Sequence, residues 1–349
     1  MRKTHKIIPL HGRAPKQDAD GVLYRFSVFQ KVFLSFIVCA LLVSPDAAAM
    51  SDHNFIELCK KGSLQQVVDA IKNNANVNAR DAYGDTPLII ITPSIYHSEI
   101  TLALINAGAD ISVKNQFERT PLSLAARENP NPQIIIALIK AGADVNTKDN
   151  SGVTPIMFAA WSNQYTDVIT TLINAGADAN AADDRGWTPL IWAAHENPNV
   201  SVMTALINAG ANVNAVDRSG VTPLSWAALY NPNPETITAL VKAGANVNAK
   251  NKNGWTPLMW AARGNQNVKS IETLVNAGAD VNARCNNGMT PLMMAAHKNA
   301  NPEVITCLLG FGADPKTEDN LGRKAIDFVK DNKAMRNSDV IRKLEAASR

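Results

Sequence analysis

The hydrophobic residues of this chain fall into short groups with helical spacing, and polar turn residues separate the groups. Leu224, Ala227 and Ala228 recur at the spacing of one helix face. Pro232 then interrupts the pattern, because proline cannot continue a helix, and a second apolar group runs over residues 234–243. The pattern therefore predicts pairs of short helices, each too short to be stable alone.

Residues with a known preference for helix ends stand at the borders of these groups. Thr222 precedes the first helix, where its hydroxyl can accept a hydrogen bond from an unpaired backbone N–H. Pro223 suits the first helical position, which needs no N–H donor. Gly244 follows the second helix and predicts a left-handed cap there, since glycine adopts positive φ without strain.

The same unit recurs with a period of 34 residues, which is the signature of a stacked repeat array. A Thr-Pro pair marks each of seven copies, numbered here as repeats 1–7. These pairs begin at Thr86, Thr120, Thr154, Thr188, Thr222, Thr256 and Thr290. The capping glycine recurs at Gly108, Gly142, Gly176, Gly210, Gly244, Gly278 and Gly312, and the preceding unit has Asn74 at this position.

These residues resemble the ankyrin repeat, Asp-x-x-Gly-x-Thr-Pro-Leu-x-x-Ala-Ala followed by Leu-(Ile/Val)-x-Ala-Gly-Ala-(Asp/Asn)-Val-Asn-Ala. The resemblance covers about residues 53–349. It implies an all-α ankyrin-repeat solenoid of helix-turn-helix units with projecting β-turn or hairpin loops. It also implies that the turn tips and the first helices bind a partner. The usual ankyrin unit has ~33 residues, and the additional residue here falls in the Asn-Pro-Asn turn between the helices.

One column departs from the ankyrin pattern, which usually has a hydrogen-bonding His after Thr-Pro-Leu. This chain has mostly apolar residues there, so we expect apolar contacts to replace the polar network that ties the turns together. The column consists of Ile89, Ser123, Met157, Ile191, Ser225, Met259 and Met293. For the Asn-Pro-Asn turns we expect the simple role of ending one helix and starting the next.

The array predicts four segments along the chain. Residues 1–49 form a signal peptide or leader, residues 50–82 an N-terminal capping repeat, residues 83–321 the seven repeats, and residues 322–349 a C-terminal capping repeat. Terminal repeats need one polar face because they have a neighbour on one side only. Repeat 1 has Ile91-Thr92-Pro93 in place of the usual Ala-Ala sequence, which predicts local distortion.

The first 49 residues have the features of an export signal. Lys31 precedes an apolar run over residues 32–43, and the small residues 47–49 follow it. The run is shorter than the ~20 residues of a comfortable membrane span. We therefore expect an exported protein, periplasmic or secreted and of bacterial type, whose leader is cleaved near Met50. The alternative is an uncleaved leader that anchors the chain in a membrane through residues 32–43.

Charge and chemistry narrow the function classes. Outside residues 1–49 the chain holds 27 Lys/Arg and 28 Asp/Glu, so net charge gives no reason to expect nucleic acid or an anionic membrane as partner. Cys59, Cys285 and Cys307 are too dispersed for a disulfide framework or a metal knuckle. His195 and His297 lie three periods apart, so they should not bind one metal ion together. We expect both to be solvated turn residues. We expect no enzyme, no cofactor and no metal.

Tryptophan stands out from the repeat framework. Trp192, Trp226 and Trp260 share one register position in the first helices, and either core packing or a partner-binding face explains an aromatic column at this spacing. Trp187 and Trp255 share a position in the turns, where the resemblance to ankyrin proteins favours exposure. Trp161 lies outside both columns.

Basic residues on the same turns complete the candidate site. Arg185, Arg218 and Lys252, together with Arg119 and Arg323, can form a polar rim around the tryptophans. Tryptophan and arginine are both enriched among residues that dominate binding energy. We therefore expect a monomeric, non-enzymatic protein-protein interaction module. The alternatives are a membrane-tethered structural scaffold and a binder of a small ligand or glycan on the tryptophans.

Overall fold

The computed structural model describes residues 50–335 and 338–348, so the predicted leader lies outside the described residues. The described part contains 18 α-helices and no strand, which confirms the all-α prediction. The helices form nine consecutive pairs. The first helices of the pairs are Asp52–Lys61, Pro87–Ile91, Pro121–Glu128, Pro155–Ser162, Pro189–Glu196, Pro223–Tyr230, Pro257–Gly264, Pro291–Lys298 and Ala325–Asp331. The second helices are Leu64–Lys72, Ser98–Asn106, Pro132–Lys140, Thr166–Asn174, Val200–Asn208, Pro234–Lys242, Val268–Asn276, Pro302–Gly310 and Val340–Ser348.

The predicted helix ends are confirmed. In repeat 5 the Thr222 hydroxyl accepts a hydrogen bond from the backbone N–H of Ser225 at 3.2 Å, and Pro223 occupies the first helical position. Gly244 has φ of 91°, in the left-handed region that a β-branched residue enters only with strain. Asn74 takes the same role before repeat 1, with φ of 63°.

The helices pack in two layers. Each first helix contacts the first helix of the next pair, and the second helices contact one another in the same way. We call the layer of first helices, together with the turns that precede them, the inner face, and the layer of second helices the outer face. Two exposed surfaces therefore run along the array, one on each layer.

The core between the layers is continuous and consists of repeated positions. Leu224 of the first helix and Leu240 of the second are fully buried. Their equivalents in repeats 2–7 are at most 1% exposed. The Ala227-Ala228 pair is also fully buried, and its small side chains let adjacent first helices approach closely. Burying a leucine side chain contributes roughly 1.5–3 kcal/mol, so every added repeat extends a core that no single repeat can form.

Repeat 1 shows the distortion that its sequence predicts. Its first helix, Pro87–Ile91, has only five residues, and a 3-10 turn over Ile95–His97 precedes the second helix. The Thr92 hydroxyl donates to the backbone carbonyl of Leu88 at 2.5 Å, and such side-chain bonding competes with continued helix.

The expectation that apolar contacts replace the polar tie between repeats is wrong in one respect. The residues after Thr-Pro-Leu are buried as expected. A polar tie nevertheless exists, at the asparagine that follows the first helix in repeats 2–7 and in the last pair. Asn231 is fully buried, and its side-chain amide donates to the backbone carbonyls of Ala194 at 3.3 Å and of Asn197 at 3.1 Å, both in the preceding repeat.

The oxygen of the same amide completes the arrangement. The Asn231 Oδ1 accepts from the backbone N–H of Asn233 at 3.0 Å, which orders the start of the second helix. Equivalent asparagines make the same contacts along the array, at Asn129, Asn163, Asn197, Asn265, Asn299 and Asn332. We call this series the buried asparagine ladder. It supplies buried hydrogen bonds from each of these repeats to the one before it.

A second ladder runs along the solvent-exposed loops after the second helices. Asn214 donates to the backbone carbonyl of Gly244 at 3.1 Å and accepts from the backbone N–H of Asn246 at 2.9 Å. The same contacts recur at Asn146, Asn180, Asn248 and Asn282. We call this series the exposed asparagine ladder.

Candidate functional site

The turns of the inner face are ordered by buried acidic or amide side chains. Asp183 is 7% exposed, and its Oδ1 accepts from the backbone N–H groups of Arg185 and Trp187, each at 2.8 Å. Gly186 has φ of 79°, which allows the chain to reverse at this point. The aspartate therefore fixes the turn, and the side chains at its tip remain free to face solvent.

Backbone hydrogen bonds join successive turns into one edge. The Arg218 N–H donates to the carbonyl of Arg185 at 2.9 Å, and the Lys252 N–H donates to that of Ser219 at 3.1 Å. The structure thus brings the predicted rim residues Arg185, Arg218 and Lys252 into a single row, and all three are exposed.

The six tryptophans form one continuous chain of ring contacts across repeats 3–6. We call this series the tryptophan chain. Its successive centroid separations are 5.2 Å for Trp161–Trp192, 4.9 Å for Trp192–Trp187, 4.7 Å for Trp187–Trp226, 6.4 Å for Trp226–Trp260 and 4.5 Å for Trp260–Trp255. Such spacings lie in the range of favourable aromatic pairs.

The predicted exposure of the turn tryptophans is wrong for Trp187. This side chain is 7% exposed, because the rings of Trp192 and Trp226 and the guanidinium of Arg185 surround it. Trp255 is half-buried against Trp260 and the guanidinium of Arg263. The turn column therefore packs onto the first helices instead of projecting from the tips.

Core packing explains one tryptophan of the first-helix column, and the other two remain partly accessible. Trp192 is 8% exposed and belongs to the hydrophobic core, whereas Trp226 and Trp260 are half-buried. The Trp226 indole N–H donates to the Asp217 carboxylate at 3.2 Å. The indole nitrogens of Trp192 and Trp260 have no hydrogen-bond partner among the described residues. The column is thus core at one end and partly accessible at the other.

Arg185 lies over the buried rings of the tryptophan chain. Its guanidinium lies 4.3 Å from the Trp187 ring centroid and 4.6 Å from that of Trp192. It also forms an ion pair with Asp183 at 3.3 Å, while 56% of its side chain stays exposed. Cation–π contacts of this kind contribute about 0.5–1 kcal/mol at exposed sites. The arginine is therefore held in place while some of its N–H donors face solvent.

The interpretation of His195 as a solvated turn residue is wrong. It lies in the last turn of a first helix, half-buried, with its ring 5.1 Å from Trp187, 5.3 Å from Trp226 and 4.7 Å from Tyr230. Burial lowers the pKa of His195 below its ordinary value; Glu196 opposes this shift and Arg185 adds to it. His297, its equivalent in repeat 7, is exposed.

His195 and Tyr230 were missed as site residues in the sequence, although a signal was present. Trp161 and His195 share one register position, three residues after the helical tryptophan column, and so lie on the same helix face as that column. Tyr230 follows Trp226 by four residues, is 55% exposed, and stacks on it at 5.9 Å. Extending the columns by helical spacing would have found both.

A groove of about 440 Å³ opens at the repeat 3 end of the tryptophan chain. Trp161, Trp192 and Phe158 line it together with Arg119 and Arg185. Arg119 forms an ion pair with Asp149 at 3.2 Å and lies 4.8 Å from the Phe158 ring centroid. The groove offers apolar ring surface bordered by these two arginines and by the carboxylates of Asp149 and Asp184.

The described residues show no arrangement typical of a metal centre or a membrane span. No cluster of three His, Cys, Asp or Glu side chains within residues 50–335 and 338–348 could hold a metal ion. No helix in this part of the chain has both the length and the apolar character needed to cross a bilayer. Cys59, Cys285 and Cys307 are free thiols, and burial raises the pKa of Cys59 to about 12.

Stacked helix pairs that contact only their neighbours define a repeat solenoid. The family model described as ankyrin repeats (3 copies) matches residues 55–149, 92–183, 157–251 and 228–319. The chain belongs to the ankyrin repeat family, whose members are generally protein–protein interaction modules. The curated proteins compared with the chain include no match.

Proposed function

We propose that this chain is a non-enzymatic binding protein that holds a partner protein on its inner face. The observation that carries the proposal is the tryptophan chain, which joins four repeats and is flanked by exposed Arg185 and Tyr230. Tryptophan, tyrosine and arginine are the residues most enriched among binding hot spots. The buried members fix the geometry of the site, and the exposed members supply the contacts.

Burial separates the residues that support the site from those that can contact a partner. The rings of Trp187 and Trp192 are buried against each other and beneath Arg185, so they form a rigid base for the site. Arg185 and Tyr230 are more than half exposed, and the tryptophan rings support both of them. A rigid support lowers the entropy that a partner must remove on binding.

The proposal is tested with the double variant Arg185→Ala/Tyr230→Ala. Proteins captured by the full-length chain from an extract of its source cell are identified, purified and titrated against wild type and variant. We expect the dissociation constant to rise at least tenfold, as for the loss of hot-spot side chains. Both substituted side chains are exposed, so the fold should be retained and circular dichroism should not change.

The chain offers a matched control on other surfaces. Tyr165 is 57% exposed, close to the 55% of Tyr230, and Lys242 is an exposed cation at the end of a second helix. The variant Lys242→Ala/Tyr165→Ala should bind within about twofold of wild type, because exposed residues outside an interface rarely contribute. Equal weakening by both double variants, or by neither, contradicts the assignment of the site.

We further propose that the chain acts outside the cytoplasm, on the basis of residues 1–49. The positive flank, the apolar run over residues 32–43 and the small residues that follow match a cleavable export signal. Mass spectrometry of the protein recovered from its source cell should give an N-terminus at or near Met50. Recovery of the intact leader in the membrane fraction would instead support the tethered scaffold.

A further inference from the structure

The charges of the inner face are distributed unequally along the array. In repeats 5–7, the turn and first-helix segments 216–230, 250–264 and 284–298 hold six basic residues and one acidic residue, Asp217. In repeats 2–4, the equivalent segments 114–128, 148–162 and 182–196 hold five basic and six acidic residues. We call segments 216–230, 250–264 and 284–298 the basic end of the inner face.

The cations of the basic end are accessible and carry no compensating charge. All but Arg263 are exposed, and Arg263 is partly exposed. None of the six forms an ion pair with another described residue. The six residues are Arg218, Lys250, Lys252, Arg263, Arg284 and Lys298.

The single carboxylate of the basic end does not neutralise this surface. Asp217 is 7% exposed, and the backbone N–H groups of Ser219 and Val221 and the indole N–H of Trp226 all donate to it. The acidic side chains of the second helices, such as Glu235 and Glu272, lie in the outer layer. The charge separation is therefore a property of one face of the solenoid.

Cations of the basic end also lie near His297. Burial contributes most to lowering the pKa of this histidine below its ordinary value, and the charges of Lys298, Arg263 and Arg323 lower it further. Asp331 alone opposes them. The protonated form of His297 is therefore disfavoured by several nearby cations as well as by burial.

We propose that the basic end binds an acidic segment of the partner protein, adjacent to the aromatic contacts made by repeats 3–5. This inference rests on the proposed function and specifies the chemistry of the partner. Unpaired exposed cations in a row attract carboxylates over several ångströms and steer association. The carboxylates of the partner supply the counter-charges that the basic end lacks.

A protein segment fits the two-part charge pattern better than a nucleic acid does. A uniform polyanion that continued along the inner face would meet the exposed carboxylates of Asp184 and Glu196 in repeat 4. In repeat 4 the rings of Trp187 and Trp192 are buried under Arg185, so a nucleic acid could stack its bases only on the half-buried or exposed rings of other repeats, such as repeats 5 and 6. A polypeptide can be acidic at one end and apolar at the other, which matches both halves of the surface.

The test uses a fluorescein-labelled peptide of about 12 residues that alternates Glu and Ser, and its Gln counterpart. At ~3.3 Å per residue it reaches across three repeats whose helices pack 8–10 Å apart, by the usual geometry of strands and helices. Binding to the full-length chain is measured by fluorescence anisotropy at low and at moderate salt. We expect the Glu peptide to bind at least tenfold more tightly than the Gln peptide, and added salt to weaken it.

Two charge-reversal variants locate the binding site. Lys252→Glu/Arg284→Glu reverses the charge of two exposed cations of the basic end. Lys140→Glu/Lys242→Glu makes the same change in net charge on the outer face. The first variant should lose at least tenfold in affinity for the Glu peptide, and the second less than twofold. Equal losses would show attraction by net charge alone and would overturn the proposal.

Two further outcomes are decisive. Tighter binding of single-stranded DNA with the same number of charges would overturn the assignment in favour of a nucleic acid. If the captured partner binds more weakly to Arg185→Ala/Tyr230→Ala but normally to Lys252→Glu/Arg284→Glu, the inference about the acidic segment fails and the proposed function stands. If neither variant weakens binding of the captured partner, both fail.

Discussion

Replacing Asn231 by Ala removes one complete rung of the buried asparagine ladder. The side-chain amide makes three hydrogen bonds, two to carbonyls of repeat 4 and one from the N–H of Asn233. An intramolecular hydrogen bond contributes roughly 1 kcal/mol net, and a buried group left without its partner costs ~1–3 kcal/mol. We therefore expect Asn231→Ala to lower the free energy of unfolding by about 3 kcal/mol.

The change Asn231→Asp separates hydrogen bonding from packing. The two side chains have nearly the same shape, and the carboxylate can still accept from the Asn233 N–H. It cannot donate to the carbonyls of Ala194 and Asn197, and it places a charge at a fully buried position. The aspartate variant should therefore be less stable than the alanine variant at neutral pH, although its volume is conserved.

The exposed asparagine ladder provides the control. Asn214 makes two hydrogen bonds of the same kind, to Gly244 and from Asn246, but water can replace its amide. Asn214→Ala should cost less than about 1 kcal/mol. Urea unfolding followed by far-ultraviolet circular dichroism measures both changes. Equal losses for Asn231→Ala and Asn214→Ala would refute the view that burial gives the inner ladder its importance.

Single substitutions test three other features of the fold. Gly210→Val should lower the free energy of unfolding by ~1–2 kcal/mol, since φ is 87° and no atom lies near the added Cβ, and Gly210→Asn should cost less; thermal melts compare the two. Thr236→Val and Ser270→Ala should each raise the melting temperature, because both hydroxyls are fully buried and have no hydrogen-bond partner among the described residues; lower melting temperatures would contradict this. The pKa of His195 is lowered below its ordinary 6.5 in the folded state, so its contribution to stability is complete above that pH and is lost as the pH falls below it. His195→Phe should therefore reduce the fall in melting temperature between pH 7.5 and about 5.5, and an unchanged fall would exclude this histidine as its source.

The fold could be predicted from the sequence because each repeat carries several local signals for the same structure. The cap at Thr222, the proline at the first helical position and the left-handed glycine at Gly244 are set by backbone preferences that act within a few residues. Agreement across seven copies made the stacked array the consistent solution. The export signal was also predicted from local pattern, and it remains a prediction.

Side-chain burial at the inner face could not be predicted in the same way. The turn position of Trp187 favours exposure in one isolated repeat, and only the neighbouring repeat supplies the Trp226 ring that covers it. The same holds for Asn231, whose acceptors belong to the preceding repeat. A single sequence shows the column but not the atoms across the junction.

The sequence by itself thus determined the repeat, its helices and its caps, together with the residue types available on each face. The tertiary structure decided which of these residues are core and which are accessible, because packing between repeats sets the exposed fraction of each side chain. It placed Trp187 and Trp192 beneath Arg185 and left Arg218 and Lys252 in a solvent-facing row. Burial and charge at the inner face are properties of adjacent repeats in contact, so they arise only when the array is stacked.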